Sequence, residues 1–191
     1  MPFDPTHPIS PTSPKEPVMK KQVHTLIAAA LALAATVVTA ASAQDIKRTP
    51  IPNSNFPISV AVTVPANAST VYFSGVLPEV ANAGAPKGSI EAYGDTQTQT
   101  ASVLRRLQAA LAAEDLGLGD VVQLRVFLVG DPKLDGKLDF AGLNAAFGQF
   151  FGTAAQAAKP ARTALQVVAL PLPGALVEID LVAAKTARST Q

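Results

Sequence analysis

Apolar positions change period along the chain and mark out its elements. Ser59 to Val64 (SVAVTV) and Thr70 to Leu77 (TVYFSGVL) are short β-rich runs around Pro65-Ala66-Asn67-Ala68, a pattern that predicts a hairpin. Pro78 to Tyr93 mixes Pro, Gly and Ala and reads as a loop. After Asp95, a good helix cap, Val103, Leu104, Leu107 and Leu111 recur at helical spacing with Arg105, Arg106 and Gln108 on the other side, and Gly117 and Gly119 are expected to end the helix. Asp120 to Val129 (DVVQLRVFLV) predicts a largely buried strand stopped by Gly130-Asp131-Pro132. A second helix fits Leu138 to Phe151, where Phe140, Leu143, Phe147 and Phe150 form a stripe that reads as core packing, and Lys159-Pro160 breaks it. Two strands, Thr163 to Leu170 and Ala175 to Ala183, close the chain around Pro171-Leu172-Pro173-Gly174. The order β-β-α-β-α-β-β predicts an α+β layer, a sheet with both helices on one face. Val122, Leu124, Val126 and Leu128, with the alternate Val121, Phe127 and Val129, cannot all reach that face, so the uncovered side is expected to meet another subunit.

The N-terminal stretch follows a different logic. Residues 1–18 carry Pro2, Pro5, Pro8, Pro11, Pro14 and Pro17, a density that resists helix and sheet interiors, and Met19 is expected to be the natural start. Lys20 and Lys21, the apolar run from Leu26 to Val38, and Ala41-Ser42-Ala43 follow in the order of a secretory signal peptide over residues 19–43. Residues 44–191 are then expected to form a single exported domain, placed in a bacterial periplasm.

Composition narrows the chemistry. His7 and His24 both precede Gln44, and the chain has no cysteine. Residues 44–191 therefore exclude Cys or His nucleophile systems, Ser-His-Asp triads, zinc sites built on Cys or His, and disulfides. Removing Lys15, Lys20, Lys21, Asp4 and Glu16 with the leader leaves twelve basic and twelve acidic residues of the chain's 15 and 14. With Lys47-Arg48 and Arg105-Arg106 as the sole adjacent basic pairs, the expectation is no nucleic-acid partner. Gly117-Leu118-Gly119 has Val122 where a dinucleotide fingerprint needs its third glycine, and Asp131 and Asp135 read as solvated turn residues; no metal and no cofactor are expected.

Three segments read together resemble the Rid (YjgF) family of reactive-intermediate deaminases. Tyr72-Phe73-Ser74-Gly75 is similar to that family's strand-end Ser-Gly. Phe140 to Phe151, with Asn144, Phe147 and Phe150-Phe151, is similar to its second helix. Pro160-Ala161-Arg162-Thr163, followed by Leu170-Pro171 and Val177-Glu178-Ile179, carries the most specific likeness. The resemblance runs from about Ile58 to Ala184 and implies a chorismate-mutase-like fold assembled as a homotrimer, with active sites in clefts between subunits.

It also implies hydrolysis of enamines and imines such as 2-aminoacrylate to 2-oxo acids and ammonia. Arg162 would bind the substrate carboxylate and Glu178 would orient or activate water, while Ser74, Gly75, Asn144 and backbone groups at Ala164 would line or support the site. That assignment suits the residues: a guanidinium holds a carboxylate through a planar fork, and an already electrophilic imine carbon needs positioned water and a base. Two positions depart from the family's well-studied deaminases: Ile58 follows Pro57 where they have tyrosine, and Ala164 stands where they have cysteine. The rival reading is a non-catalytic trimer that binds small carboxylate metabolites in the periplasm.

Overall fold

The computed structural model describes residues 45–186. The Pro-rich leader and the signal peptide expected over residues 1–43 lie outside the described residues. The strands are β1 (Lys47–Pro50), β2 (Ser59–Thr63), β3 (Ala68–Val76), β4 (Val121–Val129), β5 (Ala161–Val167) and β6 (Val177–Thr186); the helices are α1 (Ile90–Tyr93), α2 (Thr96–Ala113) and α3 (Phe140–Phe150).

Four strands form the main sheet in the order β3-β6-β4-β5. β6 runs antiparallel to both neighbours, whereas β5 lies parallel to β4 at an edge because α3 carries the chain back across the sheet. Alternation in β4 and β6 directs Leu124, Val126, Leu128, Val177, Ile179 and Leu181 to one side. There they join Val103, Leu104, Leu107 and Leu111 of α2 and Leu143 and Phe147 of α3 in one buried cluster. Both helices thus cover one face, the expected α+β layer. On the opposite face Gln123 and Arg125 are exposed, Phe127, Asp180 and Val182 are half-buried, and Tyr72 is 78% exposed. The register shifts between Val121 and Gln123, and through this bulge Val121 and Val122 are both buried. Consecutive valines there do not divide between the faces, contrary to strict alternation.

The expected hairpin of β2 with β3 does not form. β2 pairs antiparallel with β1 in a separate two-stranded sheet, and β3 pairs with β6 at the far end of the chain. Pro65 to Ala68 still turns, with the Ala68 N–H donating to the Pro65 carbonyl at 3.1 Å. β1 has no apolar alternation to announce it; Arg48 fixes it instead. One guanidinium nitrogen of Arg48 donates to the carbonyls of Val121 (2.9 Å) and Lys159 (3.0 Å), and the other to that of Gly119 (2.7 Å). The loop expected over Pro78 to Tyr93 ends in the short α1, whose Ala92 and Tyr93 are buried.

Asp95 caps α2 as expected, its Oδ1 accepting from the Thr98 N–H at 2.8 Å. The helix ends before Gly117. Asp115 takes the left-handed conformation (φ 54°). The N–H groups of Asp115 and Leu116 donate back to the carbonyls of Ala112 and Leu111, a Schellman closure with aspartate in the usual glycine place. Gly117 instead opens a 3₁₀ turn over Leu118–Asp120.

Candidate functional site

Arg162 is the second residue of β5 and pairs in register with Leu124. Residues paired across neighbouring strands point to the same side of a sheet, so Arg162 lies on the helix-covered face, at its open edge. Asn144 of α3 holds it there: the amide Oδ1 accepts from Arg162 Nη2 at 2.8 Å, while Asn144 Nδ2 donates to the Phe140 carbonyl at 2.8 Å. With its nitrogen committed one helical turn back, the amide must present oxygen to the guanidinium.

Three rings surround the same group. Arg162 Cζ lies 4.4 Å from the Phe147 centroid, 5.5 Å from Phe56 and 5.7 Å from Phe140. Phe147 is fully buried and Phe140 is 46% exposed, so the phenylalanine stripe is not core packing throughout: one end builds the core and the other frames Arg162. Phe56 arrives from the segment ahead of β2. The Ser59 N–H donates to the Pro160 carbonyl at 2.8 Å and Ser59 Oγ to the Lys159 carbonyl at 2.7 Å, which ties that segment to the start of β5.

Electrostatically the site is unfinished. Arg162 Nη1 is buried without a hydrogen-bond partner, and among the described residues no carboxylate forms an ion pair with Arg162. Burial lowers its pKa to about 10, since desolvation penalises the charged form. The side chain remains a cation at neutral pH. A half-buried charge without a counter-ion is costly, and a carboxylate brought to the guanidinium would relieve that cost.

Glu178 belongs to a second cluster. It pairs with Phe127 across β6 and β4, which places it on the face opposite Arg162. Asp180 shares that face but is engaged: its two oxygens take Arg125 Nε at 2.9 Å and Nη2 at 2.8 Å. Glu178 has no such ion pair among the described residues. Ser74 and Gly75 stand beside this strand, where the β3–β6 register shifts between Phe73 and Val76. A Cβ at Gly75 would strike the Glu178 carboxylate, so glycine there is what makes room for it. Ala164 pairs with Val126 on the Arg162 face and packs against the core, leaving its backbone as its polar part.

The structure therefore brings Arg162 and Asn144 together, with Ala164 on the same face, and separately brings Gly75 to Glu178, with Ser74 next to Gly75 in the irregular part of β3. It does not bring the two groups together within one chain. Phe56, Phe140 and Phe147 were not read as site residues from sequence. The shared helix face of Phe140, Asn144 and Phe147 was available as a signal, whereas nothing local marks Phe56. Elsewhere, a cavity of about 470 Å³ at the ends of α2 and α3 is lined by Gln108, Gln149, Phe150 and Gln156 and has no ionisable side chain. Among the described residues no cluster of three or more His, Cys, Asp or Glu side chains is placed to hold a metal ion.

Comparison with known proteins extends this picture. The family model described as Endoribonuclease L-PSP matches residues 49–185. Protein DfrA of Myxococcus xanthus is 36% identical over 127 residues, 66% of this chain and 84% of that protein. TdcF of Escherichia coli K12, a reactive intermediate deaminase by name, is 32% identical over 119 residues, 62% of this chain and 81% of its own. Among solved structures, YyfB of Yersinia pestis, a Rid-family protein of unknown function, superposes with a TM-score of 0.55 at 25% identity, covering 74% of this chain and 100% of that one.

Proposed function

The chain belongs to the Rid (YjgF) family, the one matched by the Endoribonuclease L-PSP model over residues 49–185, and on that footing we propose that it hydrolyses 2-imino acids, and the enamines that tautomerise to them, to 2-oxo acids and ammonia. The observation that carries this reading is the Arg162 guanidinium: half-buried, steered by Asn144, ringed by phenylalanines, and without a carboxylate partner. Its fork takes the substrate carboxylate and so fixes the imine carbon at a set distance from the strand edge. Water adds its oxygen to that carbon as the C=N electron pair moves to nitrogen, which takes a proton. The resulting carbinolamine gives up its hydroxyl proton, the C–N bond breaks, and ammonia leaves a 2-oxo acid. Glu178 is the group that orients the water and carries these protons.

Because Arg162 and Glu178 occupy opposite faces of one sheet, the working site pairs the β5 edge of one subunit with the uncovered face of the next. The assembly is a homotrimer, and Tyr72 and Leu165, which is 40% exposed, belong to the covered surface. Export to the periplasm completes the proposal. A mature N-terminus at Gln44 and recovery in the periplasmic fraction would support it, and a cytoplasmic protein retaining Met19 would refute it.

The direct experiment generates imino acids in situ with an amino-acid oxidase and compares the purified protein with Arg162→Ala. Imine decay should be accelerated by the protein and fall by roughly 10²-fold or more in the variant, with the oligomer intact. Carboxylate binding without turnover would favour the non-catalytic reading, for which the separation of Glu178 from Arg162 within one chain is the supporting observation.

A further inference from the structure

We infer that the Arg162 site selects carboxylates whose neighbouring carbon bears a large apolar substituent, and that Phe56 and Phe140 are the residues that make this choice. The inference rests on Arg162 as the carboxylate anchor and adds the class of substrate. One ring would be enough to support the guanidinium, and Phe147, buried and 4.4 Å away, already does so. Phe56 and Phe140 form a second layer. Their rings stack on each other, with centroids 6.4 Å apart and planes at 29°, and neither is fully buried. Phe140 in particular begins a helix whose inner face is core, yet leaves 46% of its surface open beside the Arg162 cation, which has no carboxylate partner among the described residues. Such apolar surface is covered at least cost by a ligand that brings a carboxylate to the guanidinium and a hydrocarbon to the rings.

The residues of the same chain that stand nearest Arg162 are engaged or apolar. The Asn144 amide is committed to Arg162 and to the Phe140 carbonyl. Ile58, which follows Phe56 and Pro57, and Ala164, two residues past Arg162, are apolar and pack against the core. A charged or hydroxylated side chain on the substrate would lose water here without gaining a partner.

The test compares imines generated from alanine, leucine and phenylalanine by an amino-acid oxidase. The wild-type protein should favour the leucine- and phenylalanine-derived imines about tenfold or more in kcat/KM over the alanine-derived one. Phe56→Ala and Phe140→Ala should each reduce that preference about tenfold, because the carboxylate contact is common to all three substrates and cancels in the ratio. A wild-type ratio near unity, or a ratio unchanged in both variants, overturns the inference and leaves the rings as braces for Arg162. Should either variant fail to fold by circular dichroism, the leucine replacement at that position takes its place, with the phenylalanine-derived imine losing ground to the leucine-derived one. If no imine is hydrolysed, the deaminase reading fails by itself. Selection is then read from calorimetric binding of 4-methyl-2-oxopentanoate and phenylpyruvate against pyruvate: tighter binding of the larger acids, reduced in the variants, supports it, and equal or absent binding overturns it.

Discussion

A guanidinium is rarely left with a buried, unsatisfied N–H, as Arg162 Nη1 is. Its pKa, lowered to about 10 by burial, has a definite consequence for ligand binding. The protonated form binds carboxylate, so affinity for a 2-oxo acid should be level up to about pH 9 and decline as pH rises through the lowered pKa, with the bound anion shifting the decline somewhat upward. Calorimetric titrations across that range would show it, and an affinity unchanged to pH 11 would mean that Arg162 is more solvated than its surroundings imply. The linkage to stability has the opposite sign. Above about 10 the unfolded chain, whose arginine keeps its ordinary higher pKa, holds more protons than the folded one, so this group by itself favours folding increasingly as pH rises from there toward that ordinary value. Gly75 is the second informative residue. Gly75→Ala must displace the Glu178 carboxylate. Imine hydrolysis should drop at least roughly tenfold while the melting temperature changes by only a few degrees, measured by oxidase-coupled assay and circular dichroism. A fully active Gly75→Ala protein would remove Glu178 from the mechanism.

At the scale of elements, helix ends determine how firmly the site is held. α3 carries Phe140, Asn144 and Phe147 toward Arg162, and its first turn is secured by Asp139, whose Oδ1 accepts from the Gly142 N–H at 2.8 Å. α2 ends with Asp115 in a left-handed conformation that glycine adopts more readily. Asp115→Gly should therefore raise the free energy of unfolding by about 0.5–1 kcal/mol, offset in part by the greater freedom of glycine in the unfolded chain. Urea unfolding would detect it as a higher midpoint at unchanged slope, and a lower midpoint would show that Asp115 contributes more than its conformation costs. The short sheet has a different logic. β1 and β2 carry no catalytic group, yet the bonds from Arg48 and Ser59 to Gly119, Val121, Lys159 and Pro160 place the segment bearing Phe56 over the start of β5.

For the whole molecule, the decisive fact is that the candidate acid-base group and the candidate carboxylate anchor lie on opposite faces of one sheet. A site shared between subunits makes a quantitative prediction. Arg162→Ala and Glu178→Gln proteins, each inactive alone, should regain activity when mixed under conditions of subunit exchange. For random assembly, about a quarter of the sites would combine an intact Arg162 with an intact Glu178 from a neighbour. A mixture that exchanges subunits, shown by mass spectrometry, yet stays inactive would exclude this arrangement.

How much of this was legible in the chain depended on how local the information was. The period of Val103, Leu104, Leu107 and Leu111, the cap at Asp95 and the alternation of Leu124, Val126 and Leu128 are set by neighbours within a few residues, and each was read correctly. The Pro-Ala-Arg segment and the spaced Glu178 pointed to the family without any knowledge of contacts. The strand that pairs with β3, the bulges that bury Val122 and make room at Gly75, and the approach of Phe56 to Arg162 depend on segments far apart in sequence, so no local pattern encodes them. The same holds for the faces on which Arg162 and Glu178 lie. A strand alternates its side chains with period two, but which side of the sheet an odd or even position occupies is decided only when register and packing are complete. By itself the sequence determined the two long helices and the strands with a clear apolar period, the family and the chemical groups on hand; only the tertiary structure decided which of those groups meet, because pairing across long loops is settled by the burial of the assembled core.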